Sequence, residues 1–168
     1  MNENQKVLIK NLTNHEVGFL CPNSHKNFVF ASGQTLPVKW EYIEDVQYDR
    51  GFRYFFENGY LKIDSKTENY EEVMEELQFT HLAEKIDKSL SYEDVKKILK
   101  KTPLSTQYAL VKKHLREGTE TTKKNFANAA LELKIKDYVI NTAIKDATDI
   151  DVLKALELNE EPQKQIKE

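Results

Sequence analysis

The sequence is poor in the residues that build cofactor sites and disulfides. It has five glycines, four prolines and one cysteine among 168 residues. A single cysteine cannot form an internal disulfide, and so few glycines leave no glycine-rich loop for a nucleotide phosphate. The sequence also has neither a GxxxxGKS/T phosphate loop nor a GxSxG nucleophile turn. We therefore expect no cofactor and no enzymatic activity.

Long apolar runs and an excess of basic residues are also missing. No stretch approaches the roughly 18 apolar residues that predict a membrane-crossing helix. Residues 1–6 have no apolar run of the signal-peptide type. The net charge is −3, so the chain as a whole is not attracted to nucleic acid or to an anionic membrane. These features predict a protein that stays in a reducing cytoplasm, or in a virus particle assembled there.

The charges that are present are unevenly spread. Residues 41–84 hold 12 acids and 4 bases, whereas residues 85–124 hold 11 bases and 5 acids. Such blocks are typical of solvated faces. They also suit head-to-tail contacts between copies or contact with an acidic partner.

The first part of the chain predicts short strands and one helix. Strands are expected at residues 7–10, 16–20, 28–30, 35–38 and 60–63, because apolar residues alternate there between turn residues. Residues 40–46 predict a short helix, and Asn58-Gly59 predicts a helix stop after a helical turn at 53–57. We expect an α+β protein whose β-rich domain, residues 1–65, is a partly open barrel or a five-stranded sheet.

Eight of the 17 aromatic residues lie between residues 40 and 60. A small domain needs such side chains for its core. An alternative is that some of them form an exposed anchor for a partner or for stacked bases, because aromatic and arginine side chains dominate binding energy at interfaces. The surrounding excess of acids argues against bases. The candidate partner-binding residues are Trp40, Tyr48, Arg50, Phe52 and Arg53.

The second half predicts helices. Residues 66–90 are expected to be a linker or connecting helix, residues 91–158 an all-helical bundle, and residues 159–168 a polar tail. Ser91, Thr119 and Asp137 are placed to cap helices, and the Thr102–Pro103 boundary ends or starts one. Short helices with brief connections are typical of a compact bundle.

A row of basic residues lies in this helical half. Paired lysines at this spacing are typical of a solvated helix face, with contact to phosphate or an acidic protein as the alternative. Residues 129–143 also have apolar spacing compatible with a DNA-binding helix-turn-helix, although Lys134 occupies the turn position that favours glycine and Asp137 lies where phosphates would be. The candidate basic contact face comprises Lys96, Lys97, Lys100, Lys101, Lys112, Lys113 and Arg116.

Cys21 invites two chemical hypotheses. With His15 and His25 it could supply three zinc ligands, but no second Cys/His pair completes a site. It could also act as a nucleophile with His81 or His114 as base, which no motif supports. We expect a buried structural thiol and no metal.

One pattern in the first domain carries a family resemblance. It runs from Lys-Asn-Leu-Thr-Asn-His-Glu-Val-Gly-Phe at residues 10–19, through residues 28–30, Gly33, Val38, residues 41–46 and Gly51, to residues 60–63. This outline resembles a family of small, largely uncharacterised proteins of tailed bacteriophages of Gram-positive and gut bacteria. That family often has a basic segment before the third strand, where this sequence keeps only Lys26.

The resemblance implies a virion accessory protein. Its role would be head decoration, a place at the head–tail junction, or packaged cargo, with capsid, portal or connector proteins or copies of itself as partners. The particle would assemble in the host cytoplasm, and no membrane would be involved. The alternative is a phage or bacterial regulator that binds nucleic acid through the basic helical region.

Overall fold

The protein is a mixed α+β protein, as the sequence predicts. The computed structural model describes residues 1–101 and 104–160, apart from the side chains of residues 86, 87, 101 and 160. The predicted helix boundary at Thr102–Pro103 and nearly all of the predicted tail lie outside the described residues. No helix in the described part is long and apolar enough to cross a membrane.

Five strands form two small antiparallel sheets. The strands are β1 (Lys6–Asn11), β2 (Val17–Leu20), β3 (Asn27–Phe30), β4 (Thr35–Lys39) and β5 (Leu61–Ile63). The first sheet has the order β4-β1-β5, with Val7 opposite Val38 and Ile9 opposite both Leu36 and Ile63, while β2 and β3 form a separate hairpin. The described strands therefore form neither a single five-stranded sheet nor a closed barrel.

Asn11 joins the hairpin to the larger sheet. Its Nδ2 donates to the carbonyl oxygens of His15 at 2.7 Å and Phe30 at 3.0 Å, and its Oδ1 accepts from the backbone and side chain of Thr13. Buried amides are stable only when hydrogen-bonded, so this side chain fixes the relative position of β1 and β3.

Helices α1 (Trp40–Val46) and α2 (Arg50–Glu57) pack on the sheets, and Gly59 ends α2 with a φ of 71°. The predicted bounds of α1 are confirmed, and so is the predicted stop at Gly59. Glycine suits this left-handed position because it has no Cβ. Asp49 caps α2 by accepting from the Phe52 amide at 2.9 Å, so α2 begins three residues before the helical turn that the sequence predicts.

The segment 66–90 is part of the first core. The sequence predicts a linker or connecting helix here, but the chain forms α3 (Tyr70–Glu76), a 3-10 turn (Thr80–Leu82) and α4 (Ala83–Asp87). Five apolar side chains of this segment are buried with the strands and α1–α2: Val73, Met74, Leu77, Phe79 and Leu82.

The second core lies among α5 (Tyr92–Lys101), α6 (Leu104–Glu117), α7 (Glu120–Glu132), α8 (Tyr138–Thr148) and α9 (Val152–Glu160). The predicted caps are confirmed: the hydroxyls of Ser91 and Thr119 and the carboxylate of Asp137 accept from backbone amides of their helices' first turns. Each cap satisfies an amide that the helix itself leaves unpaired.

Polar contacts join the two cores. The Tyr92 amide donates to the Leu12 carbonyl at 3.0 Å, and the Asn125 side chain donates to the same carbonyl at 2.7 Å. The Thr121 hydroxyl donates to the Asn58 carbonyl at 2.5 Å. The start of α7 is therefore buried against the first part of the chain.

Candidate protein-binding surfaces

Two of the candidate partner-binding residues belong to the first core. Trp40 is 1% exposed, and its Nε1 donates to Glu44 Oε1 at 2.7 Å. Phe52 is fully buried, with its ring centroid 5.0 Å from Phe19 and 4.9 Å from Phe56. Neither side chain reaches the surface, which corrects their assignment as contact residues. Local spacing could not reveal the full burial of Phe52, because one of its neighbours, Phe19, comes from β2.

Arg53 acts inside the molecule. Its Nη1 donates to the Leu77 carbonyl at 3.2 Å, and its guanidinium lies 4.9 Å from the centre of the Phe79 ring. A cation over an aromatic face is attracted by the ring's charge distribution. Arg53 therefore holds α2 against the chain after α3, and its side chain is only partly exposed.

The remaining candidates form an exposed aromatic and basic surface. Tyr48, in the turn before α2, is 77% exposed, and Arg50 is exposed at the first position of the helix. Tyr54 is 49% exposed and lies one turn after Arg50, so the two share a helix face. We refer to Tyr48, Arg50 and Tyr54 as the tyrosine surface. The sequence interpretation missed Tyr54, because it began the helix at Arg53 and could not align Tyr54 with Arg50.

The α5 part of the candidate basic face is largely neutralised. Lys96 Nζ lies 2.8 Å from a Glu132 oxygen and 3.8 Å from Glu93, and Lys97 Nζ lies 3.5 Å from Asp94. Lys100 is exposed, and the side chain of Lys101 lies outside the described residues. Hydrogen bonding to Lys96 and then to Tyr92 lowers the pKa of Glu132, so this carboxylate stays ionised beside the lysine.

The α6 part of the basic face lines a shallow groove. Lys112, Lys113 and Arg116 are exposed, and no ion pair within residues 1–101 and 104–160 involves Lys112 or Lys113. Arg116 pairs with Glu117 at 2.9 Å. The groove has a volume of about 430 Å³ and an apolar floor. We call it the α6–α8 groove; its lining is Lys112, Leu115, Arg116, Lys123, Ala143, Asp146 and Ala147.

The α7–α8 connection has the local geometry of a helix-turn-helix. Lys134 has a φ of 52°, its amide donates to the Leu131 carbonyl at 3.1 Å, and the Ile135 amide donates to Ala130 at 2.9 Å. These two bonds are the Schellman pattern that ends a helix at a left-handed residue. Lysine therefore occupies the turn position where glycine is favoured. Asp137 then caps α8, and hydrogen bonds from Ile140 and Tyr108 lower the pKa of its carboxyl.

The surroundings of this motif are not those of a DNA-reading helix. Thr121 and Thr122 at the start of α7 are buried against the first core, although this helix end would have to reach a phosphate. The exposed residues that begin α8 are Tyr138 and Val139, and an acid, Asp137, precedes them.

Cys21 is a buried thiol. Its Sγ lies 3.5 Å from the Tyr42 carbonyl oxygen, and burial, followed by the nearby Asp45 carboxylate, raises the pKa of the thiol. A thiol with a raised pKa is a poor nucleophile at neutral pH. Within the described part of the chain, no group of three His, Cys, Asp or Glu side chains is arranged to hold a metal ion.

The chain matches no protein-family model, no curated protein and no solved structure.

Proposed function

We propose that this chain is a non-enzymatic accessory protein of a bacteriophage particle that acts through protein–protein contacts. Its partners are capsid, portal or connector proteins, or further copies of the chain, in a particle assembled in the host cytoplasm. The resemblance carried by residues 10–63 supports the particle setting. The two small sheets share one hydrophobic core, which supports a partly open, barrel-like description of the first domain.

The observation that carries the proposal is the exposure of the tyrosine surface. Tyr48 is 77% and Tyr54 49% exposed, whereas Trp40, Phe52 and Phe56 in the same stretch of chain are buried. Tyrosine and arginine are enriched among the residues that contribute most to binding energy. An exposed pair of tyrosines around an arginine is therefore a surface suited to a protein partner.

The test is incorporation of variants into particles. Tyr48→Ala combined with Arg50→Ala is expected to reduce the copies per particle at least about tenfold, since loss of a central contact residue costs about 2 kcal/mol or more of binding free energy. Tyr138→Ala is the matched control, because Tyr138 is 73% exposed but lies on α8. Copy number would be measured by mass spectrometry of gradient-purified particles. Unchanged incorporation of the double variant would refute the role of this surface.

The second candidate function is nucleic-acid binding through the helical half. It is favoured by the left-handed turn at Lys134 and by Lys112 and Lys113, which take part in no ion pair within the described residues. It requires retention on DNA that weakens as salt rises and that is lost when Lys112, Lys113 and Arg116 are replaced by glutamate. Retention that is absent or insensitive to salt would eliminate it.

A further inference from the structure

Helix α3 presents an uncompensated acidic face. Val73 and Met74 are buried in the first core, which fixes the opposite side of this short helix toward solvent. Four glutamates, Glu71, Glu72, Glu75 and Glu76, occupy that side, and all are exposed. Glu71 and Glu75 are four residues apart, as are Glu72 and Glu76, and like charges at this spacing repel each other. The described ion pairs of the chain include none of the four.

The α6–α8 groove presents the complementary sign. Lys112 and Arg116 lie one turn apart on α6, Lys123 reaches the groove from α7, and Lys113 and Lys124 are exposed beside them. Three acids lie among these five cations: Glu117, Glu120 and Asp146. The local balance is thus basic, and Lys112, Lys113 and Lys124 take part in none of the described ion pairs.

We propose that the acidic face of α3 on one copy docks on the α6–α8 groove of a second copy. This inference rests on the proposed function as a protein-binding protein and names one of its partners. The acidic row and the basic row share no ion pair within the described chain, so each remains available to the other between copies. Complementary charge fixes the register of such a contact and speeds its formation.

The contact joins two different surfaces, so it runs head to tail. Copies joined head to tail close into a ring when the rotation that relates one copy to the next is a simple fraction of a turn. Otherwise they form an open chain. The mixture of cations and acids around the groove favours a protein over nucleic acid as its occupant. A protein surface can match both signs residue by residue, whereas a phosphate backbone is uniformly negative.

Sedimentation velocity of the full chain tests the proposal. We expect self-association in about 0.1 M salt and dissociation in about 1 M salt, where the screening length falls from about 10 Å to about 3 Å. Lys112→Glu with Lys113→Glu, and separately Glu71→Lys with Glu72→Lys, should each weaken association about tenfold or more, because like charges then face each other. Lys6→Glu with Lys26→Glu is the control for the Lys112, Lys113 variant, because it makes the same change of net charge on exposed residues of the β domain. It should leave association within about twofold of the wild type.

The decisive step is mixing the two charge-reversed proteins. One variant keeps the acidic face and has an acidic groove, and the other keeps the basic groove and has a basic face. When the two alternate, every contact again joins opposite charges, so association returns. This recovery also shows that neither variant has simply unfolded. A chain that stays monomeric in low salt, or association that survives both reversals, would overturn the proposal. Salt-sensitive binding of duplex DNA by a monomer, lost in the Lys112→Glu, Lys113→Glu variant, would assign the groove to nucleic acid instead.

Particle incorporation separates this inference from the proposed function. If the chain is monomeric but present in purified particles, head-to-tail docking fails and the accessory role stands. If it associates as described but is absent from particles, docking stands and the accessory role fails.

Discussion

Replacing Asn125 will weaken the junction between the two hydrophobic cores. This residue lies in the middle of α7 and is 2% exposed. Its Nδ2 donates to the Leu12 carbonyl at 2.7 Å and to the Leu90 carbonyl at 3.1 Å. One side chain thus links the end of β1 to the segment that enters α5.

The expected loss for Asn125→Ala is about 2 kcal/mol of unfolding free energy. Each of the two buried hydrogen bonds contributes about 0.5–1 kcal/mol, and a carbonyl left without a partner adds about 1 kcal/mol. Both carbonyls lose the Asn125 donor, but the Leu12 carbonyl keeps the Tyr92 amide, so the unpaired carbonyl is that of Leu90. Alanine offsets roughly 0.5 kcal/mol through its better helix propensity. For a chain of this length the melting temperature should fall by about 4–8 °C.

Asn125→Asp removes the amide donor but keeps the volume of the side chain, so it tests the hydrogen bonds without creating a cavity. It keeps the shape but turns an oxygen toward two carbonyl oxygens, so the ionised form should cost about 3–5 kcal/mol. Burial and these oxygens raise the pKa of the new carboxyl above its ordinary value of about 3.9. The deficit is therefore full above the raised folded-state pKa and shrinks as the pH falls through it. Below about 3.9 both states are protonated, and only the loss of one of the two donated hydrogen bonds remains.

Urea unfolding of each variant at several pH values measures these effects. Asn128→Ala is the matched control, because Asn128 lies on the same helix and is partly exposed. It should change the unfolding free energy by no more than about 0.5 kcal/mol. An Asn125→Ala variant no less stable than Asn128→Ala, or a loss of stability in Asn125→Asp that does not depend on pH, would contradict this role of Asn125.

Three further predictions concern the first core and its surface. Gly59→Ala should cost about 1–3 kcal/mol, because the left-handed backbone disfavours a side chain and the new Cβ would meet Thr119 Oγ1 at 3.0 Å. Gly33→Ala has a similar φ of 70°, but its new Cβ would make only an ordinary contact with Glu93 at 3.8 Å, so it should cost less in the same urea unfolding measurement. Hydrogen bonds from Ser24 and then Asn23 lower the pKa of Asp45. The ionised carboxylate should therefore stabilise the fold at neutral pH, and this contribution should be lost as the pH falls below about 4. An NMR titration in which the Asp45 carboxyl shows an ordinary pKa would contradict this. The single tryptophan, Trp40, should give blue-shifted fluorescence emission that iodide quenches poorly. Trp40→Ala should lower the free energy of unfolding by about 3–5 kcal/mol, whereas Tyr48→Ala should lower it by less than about 0.5 kcal/mol. Equal losses would refute the division between core and surface.

Local signals in the sequence predict much of the fold. The caps at Ser91, Thr119 and Asp137 and the stop at Gly59 depend on neighbouring backbone groups, and the structure has all four. The bounds of α1 follow from its apolar spacing. These features need no knowledge of distant residues.

Features that depend on distant contacts could not be predicted. The segment after β5 is rich in glutamate, and its membership of the first core depends on Phe79 stacking on Phe56 at 5.0 Å and on Arg53 reaching the Leu77 carbonyl. The separation of the strands into two sheets depends on pairing β1 with both β4 and β5. The same limit applies to Phe52 and Arg53, which the sequence predicts as contact residues. Phe19 packs on Phe52, and Leu77 and Phe79 hold Arg53, and these partners lie far along the chain.

The most direct test of the proposed function is mass spectrometry of gradient-purified particles from a lysate of the source, with the copy number of this chain per particle. We expect a stoichiometric presence. A copy number of about a dozen would indicate a ring at a junction, whereas hundreds would indicate a shell component. Absence of the chain from particles that contain their capsid and portal proteins would contradict the accessory role.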